Sequence, residues 1–181
     1  GDGTLFEYDI VTNTFTHKFD FNEPNGKIPV GGLFETPTGS LIGTTMNGGA
    51  NNYGVIYEYD LILDTCYKRL DFNGTNGKNP VSAFVYANGS KVLGVTSLGG
   101  NNDCGVLFEY DYGTFTCIKK IDFSSPNGKM PRNSLLKAQN GKYYGLTYQG
   151  GIYNAGVVYE YDYTTNIFQK KKHRILFIFL Q

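Results

Sequence analysis

Apolar and polar residues alternate in short runs along the whole chain. In the segment 54–60, Val55, Tyr57 and Tyr59 fall on one side, Ile56 and Glu58 on the other. Period two over so few residues predicts a β-strand. This strand is written four times: GTLFEYD at 3–9, GVIYEYD at 54–60, GVLFEYD at 105–111 and GVVYEYD at 156–162, with a constant spacing of 51. A period of that size predicts a repeat architecture. One face of the strand is strongly apolar and the other only at its start. This predicts a strand away from the centre of the fold, partly covered by a neighbour, with its Glu and Asp as repeated polar positions.

The third unit shows the other elements most plainly. After 105–111 come a turn at 112–114, a strand at 115–123 and a polar loop, SSPNGKMP, at 124–131. A further strand at 133–139 reaches Asn140-Gly141, a pair that tolerates the positive φ of a tight hairpin. The strand 142–148 and the glycine-rich loop 149–155 complete the unit. Units one and two follow suit, with hairpins at Thr38-Gly39 and Asn88-Gly89. Only unit two shifts its hairpin by one residue, and it recovers before Gly94.

Four short strands per 51 residues, joined as a meander, predict an all-β fold: a partial β-propeller of four-stranded repeats. Such a sheet cannot bury both faces alone, but blades stacked around an axis can. An open β-solenoid is the alternative, although its rungs are shorter and rarely need Asn-Gly hairpins. Cut from inner to outer strand, the chain gives a half blade at 1–21 and blades at about 30–72, 81–123 and 132–170. The repeated strand is then the third of four. Three and a half blades fall short of the roughly four to eight that close a ring, so further units or a second chain are expected.

The segment NGKYYGLTYQGGIYNAGVVYEYDYTTNIF (140–168) resembles a kelch unit, with an apolar run, a double glycine and spaced aromatics. Its last aromatic, Phe168, is usually Trp in kelch. YYGLTYQGG (143–151), GVVYEYD (156–162) and DFSSPNGKMP (122–131) resemble more closely the GloVer-type tandem repeat of bacterial surface proteins. The resemblance runs from residue 1 to about 170. It implies a propeller-like domain in a secreted or cell-surface protein, with no catalytic residues to carry over. A cytoplasmic, kelch-like location is the alternative.

Composition narrows the function classes. Sixteen basic and sixteen acidic residues give zero net charge, which argues against a nucleic-acid binder. No run approaches the roughly 18 apolar residues of a membrane helix. Gly (24), Tyr (15) and Phe (13) are abundant, in keeping with turns and aromatic strands. Cys66, Cys104 and Cys117 read as free or buried thiols, because residues one period apart lie too far apart for a disulfide. The two histidines, His17 and His173, occupy different places in the repeat and suggest neither a metal site nor a triad. The loop DFNGTNG (71–77) has calcium-like oxygens but a single carboxylate, and reads as a turn. No cofactor and no enzymatic activity are expected.

An antiparallel meander places alternate connections at one end. The NGKxP loops and the GGxxN loops therefore share one face. Asn25, Lys27, Asn76, Lys78, Asn127, Lys129, Asn51, Asn102 and Asn154 are the candidate ligand contacts there, for a glycan or a protein surface. The competing reading is that Asn-Gly and Pro set turns and Lys stays solvated. The expected role is a non-catalytic binding or adhesion scaffold. An intracellular adaptor, or the propeller of an enzyme whose site lies elsewhere, are the alternatives. After Phe168 the period asks for Asp at 173 and Phe at 174, but the chain has His173 and Arg174, then ILFIFLQ. Residues 172–181 therefore read as an atypical tail, out of frame after a slip in the codons of the Lys run or otherwise not native to the repeat; a real apolar end strand is the alternative.

Overall fold

The computed structural model describes residues 1–171, so the expectations for the 172–181 tail and for His173 lie outside the described residues. Apart from a 3-10 turn at Glu23–Asn25, the regular elements are all strands. A half blade comes first, β1 (Thr4–Asp9) against β2 (Thr14–Asp20). The first blade is β3 (Lys27–Glu35), β4 (Ser40–Asn47), β5 (Val55–Asp60) and β6 (Thr65–Asp71), in that spatial order. In the second, β7 (Lys78–Pro80) and β8 (Val85–Asn88) both pair with β9 (Lys91–Leu98), followed by β10 (Val106–Asp111) and β11 (Thr116–Asp122). The third repeats this with β12 (Lys129–Pro131), β13 (Leu136–Lys137), β14 (Tyr143–Gln149), β15 (Val158–Asp162) and β16 (Ile167–Lys170).

GVxxEYD is thus the third strand of each blade. The inner strand begins at the Lys before each Pro, earlier than the sequence suggests, because Lys27, Lys78 and Lys129 already pair with Asn47, Leu98 and Gln149. The shifted hairpin of unit two is absorbed by a register change between Tyr86 and Asn88.

Each second strand is fitted to the third by two residues. Gly43, Gly94 and Gly145 lie opposite Tyr57, Phe108 and Tyr159. A Cβ on Gly94 would come within 2.7 Å of the Phe108 ring, so glycine makes room for the aromatic. Two residues on, the hydroxyls of Thr45, Thr96 and Thr147 accept the N–H of Val55, Val106 and Val157 at 3.2, 3.2 and 3.0 Å.

The core lies between blades. Phe21, Phe72 and Phe123 end the fourth strands and meet Tyr57, Phe108 and Tyr159 of the next blade edge-on, at centroid distances of 4.8, 5.3 and 5.1 Å. Full burial of one such ring contributes roughly 1.5–3 kcal/mol. The blades are also hydrogen-bonded. Ile28, Asn79 and Met130 take positive φ and donate their N–H to the carbonyls of Asp2, Tyr53 and Cys104 in the preceding blade, at 2.6, 2.8 and 2.8 Å.

The Glu of the repeated strand is less solvated than its polarity suggests. Glu109 and Glu160 are buried. Each copy meets a cation on the fourth strand or directly after it: Glu7 meets Lys18 at 3.1 Å, Glu58 meets Arg69 at 2.6 Å, Glu109 meets Lys120 at 3.7 Å and Glu160 meets Lys171 at 2.5 Å. Three of these cations reach the next blade as well: Lys18 to Asp64, Arg69 over Phe115 and Lys120 over Tyr163. The Asp that ends the motif caps the following turn. Asp60 accepts the N–H of Ile62 and Leu63 at 2.8 and 2.9 Å.

Candidate functional site

The two loop types share one face, as the meander requires. Gly49, Gly100 and Gly151 donate their N–H to the carbonyls of Glu23, Gly74 and Ser125 at 2.7, 2.8 and 2.8 Å.

Most of the sequence-derived candidates are engaged within that face. Asn25 and Asn76 accept the N–H of Asn22 and Asn73 at 2.8 and 2.9 Å, and their own N–H groups donate back to those side chains. Asn127 accepts from Ser124 N–H at 2.7 Å. These oxygens tie the loop, including the calcium-like segment 71–77. Asn51 and Asn102 donate to the carbonyls of Phe72 and Phe123 at 2.9 and 3.2 Å, fastening the glycine loop to the end of the fourth strand. Asn154 accepts Gly150 N–H at 3.0 Å, as Asn52 and Asp103 do for Gly48 and Gly99.

The lysines differ from one another. Lys27 pairs with Glu23 at 3.0 Å within its own loop, and Lys129 opens β12 half-buried. Lys78 lies between blades, 2.9 Å from Asp103 and 5.5 Å from the centre of the Tyr53 ring. Hydrogen bonding to Lys78, aided by Gly99 N–H, holds the Asp103 carboxyl below its ordinary pKa. Asn79 beside it donates to Met46 O at 3.0 Å and to Asn47 Oδ1 at 2.8 Å. The junction thus presents a half-exposed aromatic ring, a cation and an anion together. A second aromatic–cation pair, Arg132 over Tyr148 at 4.5 Å, lies on the third blade. Sequence reasoning passed over Tyr53 and Tyr148 because it followed what repeats. Their signal is the opposite one: Tyr53 has Cys104 and Ala155 as counterparts, and Tyr148 has Ser97 and Met46.

A cavity of about 350 Å³ is lined by Gly151, Ile152, Tyr153, Gly156, Val157 and Lys170, among others. One period earlier the same walls surround Asp122 and Phe123. There Asp122 accepts Asn101 N–H at 2.9 Å and Phe123 N–H donates to Gly105 O at 3.0 Å. The walls of this cavity are thus the counterparts of those that hold Asp122 and Phe123 one period earlier.

Cys66, Cys104 and Cys117 are free, and burial pushes the Cys66 and Cys117 thiols up to about 12. Such thiols are poor nucleophiles at neutral pH. His17 makes an exposed pair with Asp20 at 2.9 Å. No three His, Cys, Asp or Glu side chains gather as a metal group among the described residues. No helix among them is long and apolar enough to cross a membrane.

Four-stranded antiparallel blades, packed face to face and joined by the same contacts at each step, define a β-propeller-like repeat protein. Residues 1–174 match the model of the Gloeobacter/Verrucomicrobia repeat, and the chain belongs to that family. No curated protein matches the sequence. Solved structures match the fold. TolB from Acinetobacter baumannii is 17% identical with a TM-score of 0.58, over 92% of this chain and 37% of that one. The extracellular domain of BT4673 from B. thetaiotaomicron is 17% identical with a TM-score of 0.62, over 94% of this chain and 20% of that one. A chain of the nidogen/laminin complex is 11% identical with a TM-score of 0.62, over 93% of this chain and 58% of that one. The chain therefore spans between a fifth and three fifths of the length of these proteins.

Proposed function

We propose that the chain is a non-catalytic β-propeller segment of a secreted or cell-surface protein, and that its loop face binds a glycan or protein surface around Tyr53, Lys78 and Asp103. One observation carries this reading. The amide side chains that repeat from unit to unit are tied into the scaffold, whereas Tyr53, with Cys104 and Ala155 as its counterparts, is partly exposed and meets Lys78 and Asp103 at one blade boundary. Loops on a rigid scaffold commonly carry binding. A tyrosine ring beside charged groups gives both an apolar surface and hydrogen-bonding partners. The repeat family and the extracellular neighbour support an extracellular setting. The absence of catalysis is supported by the engagement of the repeated carboxylates in ion pairs and turn caps.

A glycan array probed with the whole chain tests the reading. Binding that falls at least tenfold in Tyr53→Ala, with folding intact by circular dichroism, is the expected result. The reading fails if neither glycans nor cell-surface extracts are bound, or if Tyr53→Ala binds as well as the parent.

A further inference from the structure

We propose that Asn88, at the inner hairpin of the second blade, is a site of spontaneous covalent modification: it loses its side-chain amide by deamidation ahead of every other Asn-Gly in the chain. Deamidation begins when the backbone nitrogen after an asparagine attacks the side-chain carbonyl carbon. Glycine hinders that nitrogen least, because it has no Cβ. The chain has seven Asn-Gly pairs, beginning at Asn25, Asn47, Asn73, Asn76, Asn88, Asn127 and Asn140. The fold treats them differently.

Six have committed side chains. The oxygens of Asn25, Asn73, Asn76 and Asn127 accept backbone N–H groups of their own loops at 2.8, 3.1, 2.9 and 2.7 Å. Asn47 accepts from Asn79 Nδ2 at 2.8 Å. Asn140 accepts Lys142 N–H at 3.1 Å and donates to the Tyr144 hydroxyl at 3.0 Å. The attacking nitrogen is withdrawn as well. Gly26, Gly48, Gly77 and Gly128 are buried, while Gly74 and Gly141 donate their N–H to the carbonyls of Gly77 and Ala138 at 3.1 and 3.0 Å. Each hydrogen bond that must open first slows ring closure by roughly five- to tenfold.

Asn88 is the exception. Asn88 and Gly89 are both exposed, and the Asn88 side chain has no hydrogen-bond partner among the described residues. A Cβ on Gly89 would meet nothing within 4 Å, so the space for ring closure is open. Gly89 N–H donates only to the Tyr86 hydroxyl, at 3.1 Å, on a side chain that is itself 44% exposed. The second blade has a described blade on either side, and neither covers this hairpin.

The reaction needs water alone. The Gly89 nitrogen bonds to Asn88 Cγ and gives up its proton as the Cγ–Nδ2 bond breaks, which releases ammonia and leaves a succinimide. Water then opens that ring at either carbonyl, giving aspartate or isoaspartate. Isoaspartate inserts a carbon into the backbone where Asn88 pairs with Lys91 and where Gly89 O accepts the Tyr112 hydroxyl at 3.0 Å. The modified hairpin loses its register and its tie to the outer part of the blade.

The full chain is held folded at mildly alkaline pH and sampled over time by peptide mapping with mass spectrometry, using electron-transfer fragmentation to separate isoaspartate from aspartate. Asn88 is expected to convert at least about tenfold faster than any other Asn-Gly, with isoaspartate among its products. In urea, where the contacts are gone, the seven rates should converge. The proposal is overturned if another Asn-Gly leads in the folded chain. It is equally overturned if Asn88 leads by the same factor in urea, or if folded Asn88 stays intact over the time in which the urea sample converts.

Discussion

The hydroxyl of Tyr110 is buried without a hydrogen-bond partner among the described residues, because Phe115 stands five residues on where a polar side chain belongs. In the other outer hairpins, Tyr8, Tyr59 and Tyr161 donate to Asn13, Asp64 and Asn166, the last at 2.7 Å. All four residues at this place, Phe115 included, have φ between 50° and 57°. Phenylalanine therefore carries backbone strain and orphans a hydroxyl. In return its ring lies 4.2 Å from the Arg69 guanidinium.

Phe115→Asn is expected to stabilise the protein. Asn tolerates the left-handed region and offers the missing acceptor, each worth about 1 kcal/mol. Loss of the Arg69 contact costs about 0.5–1 kcal/mol. A net gain of about 1 kcal/mol should appear as a higher urea midpoint. A lower midpoint would mean that the Arg69 contact outweighs both gains.

The same relationship separates two conservative substitutions. Tyr161→Phe removes a hydrogen bond and should lose about 1 kcal/mol. Tyr110→Phe removes an unpaired buried hydroxyl and should be neutral or stabilising. Paired unfolding curves decide this; equal losses would show that Tyr110 has a partner.

Ile28 holds φ 58° at the first blade junction, where the second junction has Asn79. A β-branched residue in this region is strained by about 1–2 kcal/mol. Ile28→Asn keeps the N–H that Asp2 accepts and should raise the melting temperature. An unchanged or lower value would show that the Ile28 side chain gives back what its backbone costs.

Glu160 has its pKa lowered from 4.5 to about 2, first by its hydrogen bond from Lys142, then by those from Lys171 and Tyr144. Its folded pKa lies below the unfolded one. Its contribution is therefore complete above about pH 4.5 and disappears as pH falls through about 2. Glu160→Gln should lower stability at neutral pH and flatten the loss of stability across that window. Parallel pH profiles for parent and variant would refute this role.

Gly145 lies under the Tyr159 ring, and a Cβ there would meet ring atoms directly. Gly145→Ala should destabilise by about 1–3 kcal/mol, as overpacking does. Gly141, with open space around the corresponding position, is the control for crowding, although its φ of 78° still favours glycine. Chemical denaturation of both variants should give different losses, with the Gly145 loss including displacement of the ring.

The fold was legible in the sequence wherever local chemistry repeats. The strand period, the Asn-Gly hairpin at 140–141 and the third place of GVxxEYD in its blade follow from residues close in the chain. The candidate site was less legible. Asn25, Asn76 and Asn127 looked available because amides in loops bind ligands, and equally because amides cap turns. The backbone groups they meet lie three residues away, so sequence spacing alone did not choose between these uses. Tyr53 gained significance only beside Lys78 and Asp103, which lie 25 and 50 residues further on.

The sequence by itself determined the repeat, because a period of 51 in apolar positions, glycines and prolines fixes strand order and the turns between strands. The tertiary structure alone decided what each repeated polar residue does. Strand pairing within a blade brings Glu58 to Arg69, face-to-face packing of the blades brings Arg69 to Phe115, and Glu109 and Glu160 become buried. Phe6 and Tyr8 belong to the same motif as their buried counterparts, and among the described residues β1 pairs with β2 alone. Burial depends on neighbours brought together by stacking, and the alternation of residues along one strand cannot encode which neighbours those are.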